Sequence, residues 1–107
     1  MSEFNEREQA FERKFELDEE LKFKTNAGAA HLFGLWVAEQ LGLKGGDGEN
    51  YARQIVDAII AKPGHDHLVA KAEKDLQAKK LNISRHRLEK EFEGAFIKAR
   101  EHIAKKA

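Results

Sequence analysis

The sequence predicts an all-α protein: a four-helix bundle preceded by a mobile, partly helical N-terminal extension. Three observations carry that prediction. Leu, Ala, Glu and Lys dominate a chain of 107 residues with one proline, a composition that favours helix over strand. Apolar residues recur at three- and four-residue spacings between short stretches rich in Gly, Pro, Asn and Asp. The stretch from Ser2 to Lys24 is so dense in charge that its apolar residues form only a thin stripe.

That stripe is Phe4, Phe11 and Phe15, at i, i+7 and i+11, with Ala10 beside it. A helix over Asn5 to Lys24 would be about 30 Å long. Glu8, Glu12, Glu16 and Glu20 follow one another at i,i+4 and repel, while Glu3–Arg7, Asp18–Lys22 and Glu20–Lys24 oppose that weakly. Isolated helices of this length are marginal in water. The segment is therefore expected to be partly disordered when free and helical when docked, its stripe awaiting a partner groove. Thr25-Asn26-Ala27-Gly28 is the weakest point behind it, read either as a hinge or as a soft place in one long helix. It divides residues 1–24, a partner-binding segment, from residues 25–107, the bundle.

The first bundle helix is expected to run to about Leu41, with Leu32, Leu35, Trp36 and Phe33 inward and Gly42 as its C-terminal stop. Gly45-Gly46-Asp47-Gly48 reads as a loop, with Asp47 capping a second helix. That helix carries Tyr51, Ile55, Val56, Ala58 and Ile59 and ends before Pro63-Gly64. Asp66 is expected to cap a third helix with Leu68, Val69, Ala72 and Leu76 inward. Ser84 is the predicted cap of a fourth, carrying Leu88, Phe92, Ala95, Phe96, Ala99 and Ile103; Gly94 inside it suggests a close neighbour. Short connections predict antiparallel neighbours.

Composition excludes several functions. Nineteen basic and 19 acidic residues balance to zero, which argues against a nucleic-acid binder. The absence of cysteine removes thiolate metal sites, thiol redox chemistry and disulfides. No apolar run reaches the roughly 20 residues a membrane span needs, and the first residues lack a secretory layout, so a cytoplasmic protein is expected. The Gly45–Gly48 run lacks the Gly-Lys-Ser/Thr ending and preceding strand of a phosphate loop. His65-Asp66-His67 invites a metal reading, but two histidines at i,i+2 do not share a helical face and nothing completes a set. His31, His86 and His102 are scattered, and no arrangement of nucleophile and base stands out. The expectation is a protein that acts on another protein, with no enzymatic role, no cofactor and no metal.

The stretch Phe4-Asn5-Glu6-Arg7-Glu8-Gln9-Ala10-Phe11-Glu12-Arg13-Lys14-Phe15, then Asp18-Glu19-Glu20-Leu21-Lys22-Phe23-Lys24, then Leu32-Phe33-Gly34-Leu35-Trp36-Val37-Ala38-Glu39, resembles the alphaproteobacterial ATP synthase inhibitor family, the zeta subunits. The likeness is specific over the first 40 residues. It continues more loosely through Tyr51-Ala52 and Gly64-His65-Asp66. The resemblance implies a four-helix bundle, monomeric when free, that binds the catalytic head of the F-type ATP synthase through its alpha, beta and gamma subunits. It implies that the N-terminal segment becomes helical at an alpha/beta catalytic interface beside the gamma shaft and blocks hydrolysis. Carried onto this chain, Phe4, Ala10, Phe11 and Phe15 would be apolar anchors, and Arg7, Glu8, Glu12 and Lys14 polar contacts.

This chain departs from the family pattern in one place. Where the family has a basic Arg-Arg-Asn-Lys-like run ahead of the Leu-Gly-Leu-Trp motif, it has Ala27-Gly28-Ala29-Ala30-His31. The missing charge points to weak inhibition or to a diverged paralogue that keeps the fold as a non-inhibitory interaction module. A weak nucleotide binder using the bundle body is the remaining alternative.

Overall fold

A computed structural model describes the backbone of residues 2–106 and the side chains of residues 20 and 22–103. Four helices follow in order: α1 (Ser2–Gln40), α2 (Gly46–Ala61), α3 (Asp66–Ala78) and α4 (Arg85–Lys106), with no strand among the described residues. The all-α four-helix expectation holds. The helix does not break at Thr25-Asn26-Ala27-Gly28; α1 passes through it as one element of 39 residues. Of the two readings of that stretch, a soft place in a long helix is the one the backbone adopts.

Helix pairing can be followed residue by residue. Along α1 and α2, an ideal Cβ on Gly34 would lie 2.7 Å from Ala52 Cα and 3.3 Å from Ile55 Cβ, and one on Gly48 would lie 3.8 Å from Ala38 Cβ. Along α1 and α4, Gly28 meets Ala99 and the Phe33 ring meets Phe92 edge-on at 5.6 Å. Partners descend on one helix as they climb on the other, so both pairs are antiparallel, which for α1 and α2 is what their short connection predicted. Helices α2 and α4 each pack on α1 and on α3. Phe33, Val37, Ile55, Leu68, Val69, Leu76 and Leu88 are the largest fully buried side chains.

The inward face of α1 differs from the predicted one. Ala29, Ala30, Phe33, Val37 and Ala38 are buried, whereas Leu32 is exposed and Leu35 and Trp36 are half-buried. The reason is the close approach at Gly34, where no side chain fits between α1 and α2. That contact turns Ala29, Ala30 and Ala38 inward beside Phe33 and Val37 and leaves Leu32, Leu35 and Trp36 at the rim. Trp36 packs at the edge of the core with the Arg87 guanidinium 5.7 Å from its ring centre. Gly94, expected at a close contact, has nothing within 4 Å of an added Cβ; the close contact belongs to Gly34.

The other three inward faces agree with the sequence. Tyr51, Ile55 and Ile59 of α2, Leu68, Val69, Ala72 and Leu76 of α3, and Leu88, Phe92, Ala95 and Ala99 of α4 are buried. Helix α1 ends as expected at Gly42, which takes φ +79° and lets Leu43 N–H reach Ala38 O at 2.9 Å and Gly42 N–H reach Glu39 O at 3.0 Å. Ser84 caps α4, its Oγ accepting from Arg87 N–H at 3.1 Å.

The other two caps shift. Gly45 precedes α2 without a side-chain cap, so Gly46, Asp47 and Gly48 form its first turn and only Gly45 of that run stays in the loop. Asp47 and Glu49 instead favour the positive end of the helix dipole. His65, not Asp66, occupies the position before α3, and Asp66 is its first helical residue.

Candidate functional site

The predicted partner-binding residues Phe4, Arg7, Glu8, Ala10, Phe11, Glu12, Lys14 and Phe15 belong to α1 by sequence, and their side chains lie outside the described residues. The described part of α1 shows how that segment joins the body. Glu20, Lys22, Phe23 and Lys24 are all exposed, Phe23 to 58%. Lys24 Nζ stands 3.5 Å from Glu20 Oε1, one turn back, and both side chains are well solvated. The next residue, Thr25, is 4% exposed. Thr25 is thus the first of the described α1 side chains to be buried.

The stretch Ala27-Gly28-Ala29-Ala30-His31 is not a charge-depleted outer surface. Ala29 and Ala30 are fully buried, and Gly28 lies so close to α4 that an added Cβ would sit 3.2 Å from Ala99 Cβ. Its small residues are what let neighbouring helices close on α1. His31, half-buried, points to α2, its Nε2 3.3 Å from Glu49 Oε2. Two of the five residues of the stretch are interior, and Ala27, Gly28 and His31 are half-buried.

Two shallow depressions mark the body. One, of about 300 Å³, is lined by Leu41, Leu43, Tyr51, Gln54, Lys71, Asp75, Ala78 and Lys79. In it Tyr51 donates its hydroxyl to Asp75 Oδ2 at 2.8 Å, and Lys71 Nζ donates to the same oxygen at 2.8 Å while lying 5.0 Å from the Tyr51 ring centre. Burial, then the hydrogen bond to Asp75 and its charge, push the Tyr51 phenol well above its ordinary range. Burial pushes the Asp75 carboxyl up, but the hydrogen bonds from Lys71 and Tyr51 and the charges of Lys71 and Lys74 outweigh it and hold it below the usual range. Both groups are moved away from neutrality, the opposite of what general acid–base work requires. This cluster ties α2 to α3; charge periodicity alone did not reveal it. The second depression, of about 350 Å³, lies between α1 and α2 and is lined by His31, Glu49, Asn50, Arg53 and Val56.

The two histidines of His65-Asp66-His67 have separate partners. The His65 ring stacks on Phe92 at 4.9 Å, and His67 Nε2–H donates to the Lys62 carbonyl at 2.8 Å. Each helps close the α2–α3 connection, so the two are not simply solvated as the sequence suggested.

No helix among the described residues is long and apolar enough to cross a membrane. Neither a curated protein nor a solved structure is similar enough to this chain to count as a match. A family model does match: ATPase inhibitor subunit zeta, over residues 1–102. That span takes in the candidate segment, the Thr25 junction and nearly all of the bundle. The chain belongs to the ATPase inhibitor subunit zeta family, whose members are regulatory inhibitors.

Proposed function

We propose that this protein binds the catalytic head of the F-type ATP synthase and inhibits ATP hydrolysis by placing the N-terminal part of α1 at an alpha/beta catalytic interface beside the gamma shaft. Phe4, Ala10, Phe11 and Phe15 are the proposed apolar anchors, and Arg7, Glu8, Glu12 and Lys14 the proposed polar contacts. Family membership over residues 1–102 carries the inhibitory role. What supports the assignment to this segment is the boundary in α1. Every described side chain ahead of Thr25 is exposed, and from Thr25 onward the helix is occupied by its own core. The body packs on α1 from Thr25, and the described side chains just ahead of it are open to a partner.

The test is ATP hydrolysis by the purified cognate head, titrated with the full chain and with a version lacking Ser2 to Phe15. Saturable inhibition by the full chain alone is expected. Phe11→Ala should weaken inhibition by about 2 kcal/mol, about thirtyfold, as buried aromatic anchors do, without changing the melting of the bundle. Inhibition that survives the deletion would sink the insertion mechanism. No inhibition by either folded protein would favour a bundle that binds without inhibiting.

A further inference from the structure

The residues just ahead of the core pose a physical question. Glu20, Lys22, Phe23 and Lys24 are exposed yet helical. None of these four side chains is itself held by burial, and one solvated i,i+4 ion pair contributes little. What they do have is a fixed helical turn behind them. Thr25 is buried, and Gly28 is seated against Ala99. The antiparallel pairing of Gly28 with Ala99 and Phe33 with Phe92 brings the last turns of α4 beside Thr25.

We infer that the folded body templates the N-terminal helix: α4 fixes the turn at Thr25–Gly28, and the helix propagates from that turn toward the start of the chain. Nucleation is the unfavourable step in helix formation, by a factor on the order of 10⁻³, whereas each added residue is close to neutral or slightly favourable. An isolated peptide with the sequence of this segment must nucleate. The same sequence attached to Thr25 extends a turn that core packing has already formed. The body thus raises the helical population of a segment whose described side chains, Glu20, Lys22, Phe23 and Lys24, are exposed. For the inhibitory role, which rests on the reading above, it lowers the ordering cost of binding without adding any contact to the partner.

The test uses the full chain with two pairs of substitutions at exposed positions. Lys22→Gly with Lys24→Gly interrupts propagation; Lys22→Ala with Lys24→Ala removes the same charges and keeps the helix. Glycine in place of alanine at two helical positions lowers the helix equilibrium by about twentyfold. Amide exchange and Cα chemical shifts at residues 16–21 should show that loss in the Gly pair relative to the Ala pair, while the bundle melts at the same temperature in both. Equal protection in the two pairs would overturn templating. In the hydrolysis assay the Gly pair should inhibit about tenfold less well than the Ala pair. Lost protection with unchanged inhibition would overturn the link to binding. The exchange result does not depend on the partner, so it stands or falls separately from the deletion of Ser2 to Phe15, which tests the inhibitory reading itself.

Discussion

Phe23 and Phe33 sit on the same helix, in sequence stretches that look equally helical, and live in different environments. Phe33 is 1% exposed and meets Phe92 edge-on, whereas Phe23 is 58% exposed. The change between them falls at Thr25. On one side α1 is held by apolar burial and by the seating of small residues against α2 and α4. On the other, the described side chains Glu20, Lys22, Phe23 and Lys24 are exposed and carry one solvated ion pair. Among the described side chains, one unbroken helix therefore contains two kinds of stability: burial from Thr25 onward, and solvent-exposed turns at Glu20, Lys22, Phe23 and Lys24.

The largest expected effect follows from this contrast. Phe33→Ala should destabilise the bundle by about 3–5 kcal/mol, through lost burial and the cavity left against Phe92. Phe23→Ala should change it by less than about 0.5 kcal/mol. Urea denaturation of both variants makes the comparison. A loss above about 2 kcal/mol at Phe23 would mean that the core extends past Thr25 and that the division is misplaced.

Two of the mid-helix glycines, Gly34 and Gly94, sharpen the packed side. Alanine normally stabilises a helix interior by about 1 kcal/mol relative to glycine. At Gly94, where an added Cβ meets nothing within 4 Å, Gly94→Ala should show that gain. At Gly34 the added Cβ would lie 2.7 Å from backbone Ala52 Cα, so the helices must separate. There the same substitution should reverse sign and destabilise by about 1–3 kcal/mol. Thermal melts of the two variants should move in opposite directions; a stabilised Gly34→Ala would show that the seam can open at little cost.

These two positions also show where sequence reading succeeds and where it stops. Leu68, Val69, Ala72 and Leu76 on α3, and Leu88, Phe92, Ala95 and Ala99 on α4, were legible because large apolar residues at helical spacing point one way. On α1 the same logic chose Leu32, Leu35, Trp36 and Phe33, of which only Phe33 is fully buried, because hydrophobic periodicity weights large side chains. The packing uses absence of side chain instead: Gly28, Ala29, Ala30, Gly34 and Ala38 let α2 and α4 approach. The run of Ala and Gly held that signal. It read as a weak helix and as missing charge, since spacing alone does not say which small residue faces a neighbour. Asp47 and Asp66 illustrate a similar limit at helix ends, where an acidic residue suits both the cap and the first turn. The segment from Phe4 to Phe15 was legible through its stripe and its family pattern. The Tyr51–Asp75–Lys71 cluster was not, because it joins residues on two helices that no local period relates.

That cluster supplies a pH test on the packed side. The Asp75 carboxyl is held below its ordinary value of 3.8, so its contribution is present above that value and is lost as pH falls through the folded pKa. The Tyr51 phenol is raised above 10.0, so its contribution is complete below pH 10 and is lost as pH rises beyond it. Asp75→Asn should cost about 1.5 kcal/mol near neutrality, within the range for a hydrogen bond to a charged group. Urea midpoints taken across pH should show the variant and the parent converging as pH falls below 3.8 and on through the folded pKa, where the parent's carboxyl is protonated as well. A difference that persists unchanged into acid would mean that packing, not the charge on Asp75, sets the effect.

The smallest expected effect is the most direct probe of the exposed side. Lys24 Nζ and Glu20 Oε1 form an ion pair at 3.5 Å, the same i,i+4 arrangement that links Lys71 to Asp75 at 2.8 Å. The two pairs differ in what surrounds them. The Lys24 and Glu20 side chains keep 59% and 64% of their exposure, and water screens most of their attraction. Asp75 also accepts from a largely buried phenol, so its pair is part of a network. Lys24→Ala removes the exposed pair but substitutes a better helix former, and the two changes oppose each other. Bundle stability should move by less than about 0.5 kcal/mol, and raising the salt concentration should leave the difference between parent and variant nearly unchanged. A larger, salt-sensitive loss would show that charge pairing ahead of Thr25 supports the fold, and the helix would then have one kind of stability along its length instead of two.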